Sequence, residues 1–221
     1  MPRKLLQILD ALYPWDGTCF LEYETPWQLL FATILSAQCT DERVNQVTRT
    51  LFARLPALED YIHCDYEALA ALVRPTGFFR VKARNLQQTA HILVHEYGGV
   101  LPSDIDALTA LPGVGRKTAN VVRGHIFHLP SVTVDTHVGR VARRLGLTLQ
   151  TDAVKIEFDL MKKLPRKYWI RINQQLISHG RAVCKSQRPR CGECALISLC
   201  PYGKTALGNT TKNSPKKESR P

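Results

Sequence analysis

Apolar side chains recur at steps of three, four and seven along most of this chain, as in Leu86, Ala90, Leu93 and Tyr97 or in Trp169, Ile172, Leu176 and Val183. That spacing keeps returning to one face of an α-helix, whereas a half-buried strand needs strict alternation, of which there is no convincing run. The chain is therefore expected to be all-α, with about ten helices joined by short loops. Helix starts are marked by Thr25 before Pro26, by Asp41 after Thr40, and by Ser103 with Asp106 three residues on, which reads as a capping box. Gly and Pro break the pattern at 75–77, 98–99 and 165.

At 221 residues and 44% hydrophobic content the chain can bury a core of one large domain or two small ones. Thirty Lys and Arg against 19 acidic residues give a net charge of +11, which favours a polyanionic partner, nucleic acid or an anionic membrane surface. No apolar run approaches the ~18 residues that span a bilayer. The start, Met1-Pro2-Arg3-Lys4, leads into an amphipathic segment rather than the apolar core of a signal peptide, so a soluble, cytoplasmic protein is expected. From Lys204 the composition turns to Lys, Ser, Thr, Asn and Pro, and 204–221 is expected to be a basic, disordered tail. Such a tail either has no dedicated role or adds nonspecific attraction to DNA.

The run Leu111-Pro112-Gly113-Val114-Gly115-Arg116-Lys117-Thr118-Ala119 lies between expected helices over 104–110 and 115–128. Gly113 and Gly115, on either side of Val114, permit a tight turn with outward-facing amides. The second helix adds its free N–H groups and the positive end of its dipole. A hairpin of this kind grips phosphate without reading sequence. Lys117 falls in the first helical turn, where the dipole and Arg116 both disfavour an ammonium, and partial desolvation by bound DNA adds to this. A neutral amine there can attack carbon and form a Schiff base, although plain phosphate contact fits the spacing equally well.

In Val134-Asp135-Thr136-His137-Val138, after the break at Pro130-Ser131, Asp135 stands at an expected N-cap. A carboxylate in that place either caps the helix, worth about 1 kcal/mol, or takes part in chemistry. His137 is a candidate DNA contact or a surface or structural histidine.

Seven cysteines are unevenly placed: Cys19, Cys39 and Cys64 are scattered, while Cys184, Cys191, Cys194 and Cys200 crowd into 17 residues. In a reducing compartment such a cluster points to a metal centre rather than disulfides. Structural zinc sites generally use two close Cys pairs, and the pattern Cys-x6-Cys-x2-Cys-x5-Cys has only one. Its wider outer loops suit a bulkier [4Fe-4S] cube, with zinc as the alternative. Lys185, Arg188 and Arg190, in the first loop, are placed either to meet DNA phosphate or to form a solvated cationic surface.

Taken together, the hairpin run through Asn120, the Val134–His137 segment and the four-cysteine pattern resemble, in order and spacing, the endonuclease III family of helix-hairpin-helix DNA glycosylases. The resemblance extends from about residue 20 to 202. It implies a six-helix domain near 22–130, and a cluster domain formed by residues 1–21 with 131–203. It also implies two helical domains flanking a DNA-binding cleft, and a likeness in activity: a bifunctional enzyme of base excision repair, at once glycosylase for oxidised pyrimidines and abasic-site lyase.

By the same resemblance Lys117 matches the nucleophile that attacks C1′, and Asp135 the carboxylate that assists base departure. Gln38, in Leu35-Ser36-Ala37-Gln38, matches a glutamine that fills the gap left by an extruded nucleotide. Phe78, in Gly77-Phe78-Phe79-Arg80-Val81-Lys82-Ala83, stands where the family often has a wedging leucine, with core packing as its alternative. One 4Fe-4S cluster on the four cysteines, double-stranded DNA with oxidised or abasic sites as partner, and a monomer are implied as well. The related adenine glycosylases lack a lysine at the position of Lys117, and a noncatalytic iron-sulfur DNA-binding protein would need neither Lys117 nor Asp135.

Overall fold

The computed structural model describes residues 2–17 and 19–212. Among these there is no strand, and twelve α-helices follow one another: α1 (Pro2–Leu12), α2 (Pro26–Leu35), α3 (Asp41–Arg54), α4 (Leu58–His63), α5 (Tyr66–Val73), α6 (Phe79–Tyr97), α7 (Ile105–Ala110), α8 (Arg116–His125), α9 (Thr136–Arg144), α10 (Ala153–Lys163), α11 (Trp169–Ala182) and α12 (Pro201–Lys212). The all-α expectation holds. The count exceeds ten partly because α4 and α7 are only six residues long, too short for periodicity to register. No helix among the described residues is long and apolar enough to cross a membrane.

The chain divides into two compact units, Thr18–Ser131 and Met1–Gly17 with Val132–Pro221. The first holds α2 to α8, seven α-helices where six were expected. Its centre is α2, buried from Gln28 to Leu35, as a helix that is apolar on all sides must be. Trp27, Phe31, Phe52 and Tyr61 meet edge to face around it, with ring centroids 4.9 to 5.6 Å apart. The stripe Leu86, Ala90 and Leu93 of α6 is wholly buried against this core. The helix start read at Ser103 lies one residue later: Asp104 caps α7, its carboxylate accepting from the N–H groups of Asp106 and Ala107. A carboxylate with extended backbone satisfies two orphan amides at once and so displaces the neighbouring serine.

In the second unit α1 lays Leu5, Leu6 and Leu9 into a core with Val141, Ile172 and Leu176. The tail expected to be irregular from Lys204 is helical to Lys212, the end of the described residues. Pro201 opens α12 with its φ already helical, Ala206 and Leu207 favour propagation, and the Arg144 guanidinium lies 4.5 Å over the Tyr202 ring. Residues 213–221 of that expected tail lie outside the described residues.

Candidate active site

The hairpin between α7 and α8 is built from backbone and buttressed by α6. Val114 N–H donates to the Leu111 carbonyl at 3.1 Å and closes the turn, and Thr89 Oγ1 donates to the Pro112 carbonyl at 3.2 Å. Gly113 has φ +76°, and a Cβ on it would lie 2.5 Å from Asn85 Nδ2, so both backbone and space demand glycine. Gly115 is the N-cap of α8 at φ −90°, with nothing within 4 Å of where a Cβ would be. It is the point where a phosphate can come closest to the main chain. Val114, by contrast, is only 6% exposed; its side chain anchors the hairpin in the core and its amide is already committed. The main chain of Gly113 and Gly115 is exposed, whereas the Val114 side chain is buried. Arg116 is half-buried and Lys117, one residue on, is exposed in the first turn of α8.

Asp135 belongs to the other unit and caps α9. Its Oδ1 accepts from Val138 N–H at 2.7 Å and its carbonyl accepts from Gly139 N–H at 2.9 Å. The cap employs one carboxylate oxygen, and the group is half-buried. His137 is drawn inward: its Nδ1 is 3.1 Å from Arg140 Nη2, and a Cβ on Gly180 of α11 would meet that ring nitrogen at 3.0 Å. The residue is half-buried between α9 and α11.

The four clustered cysteines line one cavity of about 340 Å³, open solvent included, together with Arg144, His179, Tyr202 and Gly203. Among the described residues no three His, Cys, Asp or Glu side chains converge to hold a single metal ion. Four thiols around one space are a donor set that fits either a 4Fe-4S cluster or a tetrahedral zinc. Burial, and then the neighbouring Cys184 and Cys200 sulfurs, push the Cys191 thiol up against the pull of Arg144; burial does the same to Cys194. Holding Cys191 and Cys194 as thiolates would take a cationic centre beside them.

Arg140 and Arg144, which the sequence reading passed over, brace the chain around Cys184, and Arg144 also lines the cavity. Arg140 Nη2 donates to the carbonyls of Gly180 and Cys184, while Arg144 donates to the Lys185 and Ser186 carbonyls and reaches Cys184 Sγ at 3.4 Å. Their i, i+4 spacing on α9 was the signal that could have found them. Lys185, Arg188 and Arg190 are exposed on the loop so braced, Arg188 at φ +48° and Arg190 facing Glu193 at 4.0 Å.

Gln38 and Phe78 stand in the same unit, each exposed, Phe78 by 67%, and each in left-handed backbone with φ +54° and +47°. A large aromatic ring held in solvent at the head of α6 does not fit the core-packing reading.

The model of the HhH-GPD superfamily base excision DNA repair proteins matches residues 31–166. Endonuclease III of Synechocystis sp. is 52% identical over 199 residues, covering 90% of each chain, and that of Bacillus subtilis 46% identical over the same shares. A solved structure of a trapped endonuclease III–DNA covalent intermediate superposes with a TM-score of 0.87 at 43% identity, covering 93% of this chain and 96% of that one. A superfamily model over more than half the chain and near-full-length relatives of this identity leave one conclusion: the chain belongs to the endonuclease III family of the HhH-GPD superfamily of base excision DNA repair proteins.

Proposed function

We infer that this chain is a bifunctional base excision repair enzyme, a DNA N-glycosylase for oxidised pyrimidines and a lyase that cuts the strand 3′ to the abasic site. The observation that carries the reading is the exposed Lys117 in the first turn of a helix entered through a hairpin whose main chain at Gly113 and Gly115 is exposed. The Lys117 amine forms a bond to C1′ as the glycosidic bond breaks, and the base leaves with the bonding pair and gains a proton. Positive charge builds on the sugar in that step, and the Asp135 carboxylate stabilises it. The added amine then loses a proton, the C1′–O4′ bond breaks with O4′ taking up a proton, and the Schiff base so formed acidifies the adjacent C2′ hydrogen, whose loss breaks the C3′–O bond and expels the 3′ phosphate. The nucleotide has to leave the stack to be reached, which Phe78 assists as a wedge and Gln38 by bonding the orphaned partner base. Double-stranded DNA with oxidised or abasic sites is the substrate, a cytoplasmic monomer the working form, and Lys185, Arg188 and Arg190 supply further phosphate contacts.

Cys184, Cys191, Cys194 and Cys200 are the residues that would hold one 4Fe-4S cluster, which when bound ties the loop of Lys185 to Arg190 to α12 and can exchange an electron. Purified protein is expected to be brown and to contain iron and sulfide in equal amounts, and zinc without iron would refute the assignment.

The test of the activity is borohydride trapping on duplexes carrying thymine glycol or an abasic site. A covalent adduct with both substrates supports the bifunctional reading, and no adduct with either refutes it. The hairpin has its own test. Gly113→Ala is expected to cost roughly 1–2 kcal/mol for left-handed backbone and about 1–3 more for displacing Asn85, read as a lowered melting temperature. Gly115→Ser keeps a good N-cap and the fold, yet weakens binding to undamaged duplex by roughly fivefold, near 1 kcal/mol, because a side chain now separates phosphate from backbone. Unchanged affinity would move the phosphate elsewhere.

A further inference from the structure

Lys82 belongs to the same stripe of α6 as Leu86, Ala90 and Leu93, a position that sequence periodicity reserves for an apolar side chain. It is buried, 4% exposed, and its ammonium donates to three carbonyls: Leu35 at 2.8 Å, Ala37 at 2.9 Å and Thr76 at 2.8 Å. All three N–H groups are thereby used. Burial pushes this ammonium below the ordinary lysine range, and the carbonyls offset that cost.

The identity of these carbonyls matters more than their number. Leu35 ends α2 and Thr76 ends the 3₁₀ turn Arg74–Thr76, where carbonyls lack partners within the helix and carry the negative end of its dipole. Ala37 immediately precedes Gln38, and Thr76 stands two residues before Phe78. The Lys82 amide also donates to the Phe78 carbonyl at 3.1 Å. One residue thus fastens the main chain beside both exposed, left-handed side chains. Left-handed backbone at a non-glycine residue persists only where its surroundings determine it.

We propose that Lys82 is a positioning residue for nucleotide extrusion: by joining the carbonyls beside Gln38 and Phe78 it fixes the two side chains at one spacing, so that wedge and gap-filler enter the duplex together. The inference rests on the roles given to Gln38 and Phe78 above. It differs from a plain buried cap in its consequence, since a cap affects stability alone, whereas a positioning residue affects the step in which a paired base is removed.

The test uses full-length Lys82→Met and Lys82→Gln. Each is compared with wild type in single-turnover release of thymine glycol from a matched and a mismatched duplex, and in borohydride trapping on a single-stranded abasic oligonucleotide, which needs Lys117 but no extrusion. The expected result at a temperature where both variants are folded is a loss of roughly 10- to 100-fold on the matched duplex, a smaller loss on the mismatch, and trapping close to wild type. In a Phe78→Ala, Gln38→Ala background the Lys82 substitutions should then add little further loss. Full additivity, or an equal loss on matched, mismatched and single-stranded substrates, overturns the proposal. If Lys82→Met fails to fold, Lys82→Gln, which keeps two donors on a shorter arm, carries the comparison; unfolding of both identifies a purely structural cap and also overturns it. If Gln38→Ala and Phe78→Ala themselves leave base release unchanged, the roles assigned to those two residues fail, and that failure is distinguishable from failure of the Lys82 link.

Discussion

Lys117→Ala is expected to abolish covalent trapping and to reduce strand cleavage by ~10³-fold or more, as removal of a nucleophile generally does. The fold should be untouched, because Lys117 is exposed in the first turn of α8 and alanine is the best helix former. Affinity for duplex should fall little, since the grip of the hairpin is made by main chain around Gly113 and Gly115. The separation of binding from chemistry is the informative part. A variant that binds abasic DNA like wild type yet forms no adduct identifies the amine as the nucleophile, whereas nicking by a clean preparation at the wild-type rate assigns the role to another residue. A variant that merely loses affinity returns Lys117 to the rank of a phosphate contact.

Asp135→Asn is expected to slow base release by roughly 10²–10³-fold, the usual effect of removing one group that stabilises transition-state charge. The substitution isolates charge from structure. Asparagine is as good an N-cap as aspartate, so the 2.7 Å bond from Val138 N–H survives and α9 keeps its start. Asp135→Ala loses the cap as well and should melt earlier by about 1 kcal/mol of stability. On the role proposed for the carboxylate in base departure, the Asp135→Asn defect should be larger on an intact lesion than on a preformed abasic site. Equal rates for Asp135→Asn and wild type on thymine glycol would leave the residue with its capping role alone.

Inferences that rested on neighbours in sequence did best, although the helix start read at Ser103 falls at Asp104. The Gly113–Gly115 hairpin and the cap at Asp135 follow from residues within one or two turns, and the structure places both as the local chemistry requires. The direction of a side chain is not local in this sense. Val114 turns into the core and His137 toward Gly180 because of packing partners on other helices, so neither could be separated from its exposed neighbours by spacing. Lys82 was visible as an anomaly, a lysine on a buried stripe, but its three acceptors lie on α2, the turn after it and the 3₁₀ turn, up to 47 residues away. Ser103 and Asp104 are both good caps side by side, and only the backbone conformation selects between them. The helix through Lys212 was missed because composition weighed the polar residues after Lys204 and not the tertiary anchors before it, where Gly203 N–H meets Cys200 Sγ at 3.3 Å.

The division of the chain bears on how it emerges from the ribosome. The unit Thr18–Ser131 is one continuous stretch and can complete its core as soon as it is synthesised. Helix α1 is made first, yet the partners of Leu5, Leu6 and Leu9 lie beyond Val132. Its apolar face must wait until α9 and α11 have appeared, and closing that long span carries an entropic cost. Helix α1 thus carries an uncovered amphipathic face for as long as synthesis of the Thr18–Ser131 unit, α9 and α11 takes, which makes it the segment of its own unit where a chaperone would matter most.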